Sequence, residues 1–169
     1  YDAGFVLEGP VSDNWSLGGA FHRSYIDTIL PAVLPEDSPL SFDTAPRYYD
    51  YQFLATWKGK KNEKFRVLFF GSNDKLIFLF GDKNEENDEN AIRDGLNFRT
   101  MFHNLQAIYE SSPTPKLRQK SSLRIGLTDL RFEFGEELYF NIYNNQVAAR
   151  TTWTYQASKQ LELLWGLDQ

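Results

Sequence analysis

Large apolar residues alternate one by one with small or polar residues along most of this chain, and this period of two is the strongest constraint on its fold. In residues 15–25 (WSLGGAFHRSY) the odd positions carry Trp15, Leu17 and Phe21, whereas the even positions are small or polar. Such alternation is typical of β-strands that have one apolar face. It recurs in residues 1–8, 49–58, 65–69, 96–109, 118–127, 147–155 and 161–167. We therefore predict about eight strands and no long helix.

The connections between the predicted strands alternate between short and long. Short turns rich in Ser, Asn, Gly, Pro and Lys lie near residues 12–14, 59–64, 111–116 and 157–160. Longer excursions lie between them at residues 27–47, 76–95 and 128–140. Consecutive strands joined in this way predict an all-β antiparallel meander that forms a single domain over residues 1–169. Beyond Thr128 the apolar phase slips to Leu130, Phe132 and Phe134, which indicates a bulge or the end of the apolar face.

The composition excludes several classes of function. The net charge of −5 argues against nucleic acid as a partner. The chain has no cysteine and only two histidines, far apart in sequence, which argues against a disulfide framework and a Cys or His metal site. No nucleophile elbow, phosphate loop or metal motif is present, so we expect neither an enzyme nor a bound cofactor or metal ion. The longest apolar block, at residues 76–80, is far shorter than the ~20 residues of a membrane-spanning helix. The first residues lack the pattern of a signal peptide.

The apolar face has two possible partners: the core of a soluble barrel or sandwich, or lipid. Short turns at one rim and long loops at the other are typical of outer-membrane barrels, as are aromatic girdles near strand ends. Aromatic residues near predicted strand ends are Trp15, Tyr25, Tyr48, Tyr49, Trp57, Tyr109, Trp153 and Tyr155. We therefore favour a transmembrane β-barrel type of sheet.

This interpretation assigns the two sides of each strand. We predict that one set of side chains faces lipid: Leu17, Phe21, Tyr51, Phe53, Phe65, Val67, Phe69, Ile125, Trp153 and Trp165. A second set is predicted to face the barrel lumen: His22, Asp50, Gln52, Arg118, Lys120 and Arg124. Arg23 would face lipid by strict alternation and reach the headgroups from the strand end.

Several segments resemble the barrel of TonB-dependent outer-membrane receptors of the myxobacterial and related type. They are residues 1–15 (YDAGFVLEGPVSDNW), 23–27 (RSYID), 30–35 (LPAVLP), 45–52 (APRYYDYQ) and 69–76 (FFGSNDKL). The resemblance is clear in the first half of the chain and rests on pattern alone in the second half.

The resemblance implies a barrel of about 22 strands that is plugged by an N-terminal domain and imports nutrients such as metal chelates. The sequence contains neither that plug nor the TonB box, so we expect about a third of such a barrel, from its N-terminal side. The implied location is the bacterial outer membrane, and the implied partners are its lipid, further strands or chains, and a small-molecule ligand. Two alternatives stay open: a self-contained eight-stranded outer-membrane barrel with a structural, adhesive or lipopolysaccharide-binding role, and a soluble lipid-binding barrel.

Three features of the sequence predict a larger assembly than eight strands. The alternation is already under way at Tyr1 and continues to the end of the chain, and Gln169 is not the aromatic residue on which outer-membrane barrels usually finish. Arg118, Lys120 and Arg124 have no obvious acidic partners on the neighbouring predicted strands. Unpaired charges fit a wide lumen better than a narrow packed one.

Four further segments have weaker functional interpretations. The acidic segment 81–90 offers oxygen ligands but matches no EF-hand, so we interpret it as a solvated loop. His22 is expected to bond to its neighbours rather than to a ligand. The proline-rich stretch that contains Pro31, Pro35, Pro39 and Pro46 is a candidate external ligand-facing surface. Residues 71–74 and 135–137 are predicted to form bends near the rims.

Overall fold

The computed structural model describes residues 2–33, 40–41, 47–60, 62–80, 94–135 and 138–169. It contains eight long strands, one short strand and one short helix. The strands are β1 (Asp2–Pro10), β2 (Trp15–Ser24), β3 (Leu40–Ser41), β4 (Arg47–Lys58), β5 (Lys64–Phe80), β6 (Asp94–Thr114), β7 (Leu117–Phe134), β8 (Leu138–Gln156) and β9 (Glu162–Asp168). The helix, α1, spans Ile26–Val33.

The long strands form one antiparallel sheet in the order β1-β2-β4-β5-β6-β7-β8-β9, and β3 pairs with β5. Each long strand therefore pairs with the next long strand along the chain, which confirms the predicted eight-stranded meander. Among the described residues no ladder joins β1 to β9, so each of these strands has neighbours on one side only. Every residue of β9 is exposed, and so are all but one of the residues of β1.

The sheet has two faces that can be named by residue number. Within the ladders odd-numbered residues pair with odd-numbered residues and even with even, apart from the last pair of β6 and β7. Paired residues project from the same side of a sheet. We call the two sides the odd face and the even face. We call the edge with the short turns the turn rim, and the opposite edge the loop rim.

The strands near the loop rim are longer than the sequence predicted. Strand β5 extends to Phe80. Strand β7 extends to Phe134, and β8 begins at Leu138. The predicted excursion at 128–140 is therefore wrong, since Gly135 turns the chain there with a positive φ of 59°. The predicted bend at residues 71–74 is also wrong, because these residues lie inside β5. Their polar side chains bond within the sheet instead, as where Asn73 donates to the Tyr49 hydroxyl at 3.0 Å.

The phase slip after Thr128 is not a bulge. Strands β6 and β7 pair without interruption from Leu96 and Phe134 to Ser111 and Gln119, and their one register shift lies beyond Ser111, at the turn rim. The apolar side chains of β7 therefore change face. Leu123, Ile125 and Leu127 lie on the odd face, and Leu130, Phe132 and Phe134 lie on the even face nearer the loop rim.

Helix α1 lies in the excursion that follows β2. The Ser24 hydroxyl accepts a hydrogen bond from the Ile26 amide at 3.3 Å, and Ser24 is fully buried at this junction. Pro31, one of the residues of the predicted ligand-facing stretch, lies in this helix. Within the described residues, no helix has the length and apolar character needed to cross a membrane.

Candidate functional site

An exposed apolar belt crosses the odd face. One of its rows consists of Phe53, Phe69, Leu105, Ile125 and Val147, which are direct cross-strand neighbours on β4 to β8. These five side chains are 38% to 68% exposed, although they belong to paired strands of the sheet. All ten residues predicted to face lipid lie on this face, and all six predicted to face the lumen lie on the even face.

An aromatic row borders the belt at the turn rim. Trp15, Trp57, Phe65 and Tyr109 are successive cross-strand partners on the odd face. On β8 and β9 the rings of Trp153 and Trp165 stack with their centroids 6.4 Å apart. Large rings with a polar edge are enriched at the boundary between lipid and water. Tyr48, which the sequence also suggested for a girdle, lies on the even face.

A polar border closes the belt on its other side. Tyr51, Gly71 and His103 are cross-strand neighbours, and the Tyr51 hydroxyl bonds to Nδ1 of His103. A Cβ at Gly71 would lie 2.5 Å from both that hydroxyl and the Phe102 carbonyl oxygen, so the close approach of the backbone and the two rings requires glycine here. His103 was not among the predicted site residues, because its partner lies 52 positions away and only the register brings them together.

Arginine and acidic side chains follow this border toward the loop rim. The Arg131 guanidinium bonds to the Asp129 carboxylate at 3.0 Å and to the Tyr143 hydroxyl, also at 3.0 Å. Arg23 bonds to Asp27 of α1 at 3.3 Å, so this arginine is paired within the protein rather than fully available to headgroups. On β6 and β7 the odd face therefore changes from apolar to polar within about two residues, from Leu105 to His103 and from Leu127 to Asp129.

The even face near the turn rim carries paired charges. Glu110 bonds to Arg66 at 3.0 Å and to Lys120 at 3.4 Å. Arg118 bonds to Glu162 at 2.8 Å. The expectation that the basic residues of β7 lack acidic partners is therefore wrong for Lys120 and Arg118. Glu110 lies just beyond the predicted strand end, and Glu162 lies on β9, two strands away. These charges give no independent reason for a wide lumen.

Arg124, the third basic residue of that set, donates to the Gln146 side-chain oxygen at 2.8 Å. Nearby, a shallow open cavity of about 490 Å³ lies between β5, β6, β7 and β8 at the turn rim. Lys64, Glu110, Arg118 and Lys120 are among its lining residues. Glu110, Arg118 and Lys120 of its walls are already engaged in the ion pairs described above, and the cavity is open to solvent.

His22 lies between two carboxylates on the even face. Its Nδ1 is 3.0 Å from Asp50 and its Nε2 is 3.5 Å from Asp2. The ring is thus held by its neighbours, which agrees with the structural role expected for it. Within the described segments, no group of three or more His, Cys, Asp or Glu side chains is arranged to hold a metal ion.

Two segments with predicted roles lie wholly or largely outside the described residues: the acidic segment 81–90 and the proline-rich stretch apart from Pro31. The candidate site is therefore the odd face itself, with its apolar belt, aromatic row and polar border. Comparisons of the chain with protein-family models, with curated proteins and with solved structures find no match.

Proposed function

We propose that this chain is a wall segment of a bacterial outer-membrane β-barrel, of the TonB-dependent receptor type, that takes part in nutrient uptake. The observation that carries the proposal is the belt on the odd face. Its large apolar side chains are exposed in rows across adjacent strands, and an aromatic row and a polar border enclose it. Contiguous exposed apolar surface of this kind marks contact with a membrane or another protein.

The dimensions of the belt support lipid as its environment. On β4, Trp57 of the aromatic row and Tyr51 of the polar border are six residues apart, about 20 Å along a strand with a rise of ~3.4 Å per residue. A strand tilt of about 40° reduces this to a height of roughly 16 Å, which fits within the ~25 Å apolar band of outer-membrane barrels.

The lengths of the strands favour a large barrel. Strand β6 has 21 residues, about twice the 9–11 that cross a bilayer. Such strands extend beyond the membrane on the loop-rim side. There the odd face becomes polar, as expected for a surface that leaves hydrocarbon and enters water.

The two edges of the sheet support pairing with further strands. Backbone N–H and C=O groups left unpaired in hydrocarbon cost several kcal/mol each. With no β1–β9 ladder among the described residues, the edge groups of β1 and β9 need partners from other strands. This favours the larger barrel over the self-contained eight-stranded alternative. The exposure of the belt favours either membrane barrel, large or eight-stranded, over a soluble carrier. In a soluble carrier the same residues would line a closed interior.

Single-cysteine labelling tests the membrane assignment, and the chain has no cysteine to interfere. Variants Phe53→Cys and Ile125→Cys on the odd face are compared with Gln52→Cys and Arg124→Cys on the even face. The protein is labelled with a fluorophore and inserted in phosphatidylcholine vesicles that contain brominated lipid. We expect the bromine to quench the odd-face labels and spare the even-face labels. Equal quenching of the two sets, or quenching of the even-face set alone, would refute the proposal.

Cross-linking tests the larger barrel separately. In the double variant Leu7→Cys/Trp165→Cys, each cysteine lies on the odd face of one edge strand. We expect oxidation in vesicles to give no disulfide within one molecule, because no ladder joins β1 to β9 among the described residues. Efficient intramolecular cross-linking would favour the self-contained eight-stranded barrel, whatever the labelling result.

A further inference from the structure

A row of four cationic residues crosses the odd face. Arg47, Lys75, Arg99 and Arg131 lie on β4, β5, β6 and β7, and each is the direct register partner of the next. They are separated in sequence by 24 to 32 residues, so only the pairing of the strands brings them into one line. With strands ~4.8 Å apart, the row spans about 14 Å.

The positive charge of this cationic row is only partly compensated by the described residues. Arg131 is paired with Asp129. Arg99 donates to the side-chain oxygen of Asn73, which is neutral. Among the described residues, no carboxylate lies within ion-pairing distance of Arg47, Lys75 or Arg99. Like charges directly opposite each other destabilise a sheet, so an anionic partner would stabilise this one.

The side chains beneath the row orient it. The Asn73 amide donates to the Tyr49 hydroxyl at 3.0 Å, and its oxygen accepts from Nε of Arg99 at 3.3 Å. The Nε edge of Arg99 is thus held against the sheet, and among the described residues its terminal nitrogens have no hydrogen-bond acceptor. Guanidinium groups bind phosphate oxygens through such parallel N–H donors.

The position of the row identifies the kind of anion. Arg47 lies ten residues from Trp57 on β4, roughly 25 Å in height at a tilt of about 40°. The row thus lies four residues beyond Tyr51 of the polar border, about 10 Å higher, at the level where the headgroups of a bilayer begin. A lipid whose phosphate contacts the row can lay its acyl chains along exposed belt residues such as Ile125 and Leu127. A soluble anion would gain nothing from that belt.

We propose that the cationic row is a binding site for a phosphorylated lipid headgroup of the leaflet at the loop-rim side. The width of the row exceeds that of one phosphate, so it fits a headgroup with two phosphates better than a headgroup with one. The site would anchor the protein at a fixed depth. This inference rests on the proposed membrane function.

The test uses the triple variant Arg47→Gln/Lys75→Gln/Arg99→Gln. Its matched control is Arg118→Gln/Lys120→Gln/Arg124→Gln, which removes the same charge from the even face. Both are inserted in phosphatidylcholine vesicles doped with phosphatidylglycerol or with a bisphosphorylated glycolipid, and bound lipid is measured by native mass spectrometry. We expect the row variant to lose at least about tenfold in affinity for the glycolipid, and the control to change less than about twofold.

Equal losses in both variants would mean that overall charge, not the row, attracts the lipid, and would overturn the proposal. Displacement of the glycolipid by millimolar inorganic phosphate, with no dependence on the acyl chains, would show a soluble-anion site instead. If the Phe53→Cys label is quenched by brominated lipid while the row variant binds lipid normally, the headgroup site is refuted and the membrane function stands. If the Phe53→Cys label is not quenched, the headgroup site and the proposed membrane function are both refuted.

Discussion

Replacing Phe53 by arginine tests the environment of the belt most directly. Phe53 is 44% exposed on the odd face. It lies four residues from Trp57 of the aromatic row and six from Arg47 of the cationic row, so it is roughly midway between these two rows. In water, a substitution at a side chain this exposed changes stability by less than about 0.5 kcal/mol. In hydrocarbon, arginine near the midplane costs about 2–4 kcal/mol.

The measurement is urea unfolding from phosphatidylcholine vesicles, followed by the fluorescence of the four tryptophans. We expect Phe53→Arg to lower the free energy of unfolding by about 2–4 kcal/mol, which is a factor of roughly 30 to 1,000 in the equilibrium constant. Its control is Gln52→Arg, one residue away and on the even face, where the change should stay below about 0.5 kcal/mol. A Phe53→Arg protein as stable as the wild type would refute the lipid contact. Equal losses at both positions would refute the assignment of faces.

Two further predictions concern particular contacts and use the same unfolding assay. Gly71→Ala should cost about 1–3 kcal/mol, because its Cβ would lie 2.5 Å from the Phe102 carbonyl oxygen and from the Tyr51 hydroxyl. Gly19→Ala, whose nearest atom is 3.9 Å away, should be nearly neutral, and equal effects would contradict the close approach. Glu110→Gln removes both ion pairs of this half-exposed carboxylate, and we expect a loss of about 0.5–1 kcal/mol that shrinks in 0.5 M salt. A loss that does not depend on salt would show that the pairs contribute nothing by charge.

The order of the strands and their faces could be predicted from sequence because both depend on local information. The period of two is visible within each strand, and short turns such as the one before Trp15 force neighbours in sequence to pair. The ends of the strands were harder to predict. From Gly71 to Lys75 the chain looks like a rim, because polar residues replace apolar ones at odd positions, and the apolar run at 76–80 shows no alternation. In the sheet residues 71–75 remain paired with β4 and β6, and residues 76–80 with β6.

The polar contacts depend on register over long distances, and the sequence alone does not give it. Glu110 pairs with Arg66 across 44 residues, and the Tyr51–His103 bond spans 52. Sliding one strand by two residues would keep every face and change every one of these partners. The cationic row is the extreme case, because it needs three correct registers at once. No pattern within a single strand indicates it.

The reversal of the apolar side along β7 is the feature that best separates the competing folds. In a soluble sandwich or carrier the core lies on one side of a strand along its whole length, so the apolar side does not change. On β7 the last apolar residue of the odd face is Leu127, and the first large apolar residue of the even face beyond it is Leu130. A strand that leaves a bilayer exchanges hydrocarbon for water on its outer side, and that exchange makes the outer side polar. Arg131 of the cationic row directly follows Leu130 on β7. The change of the apolar side and the proposed headgroup contact therefore lie at the same level of the sheet.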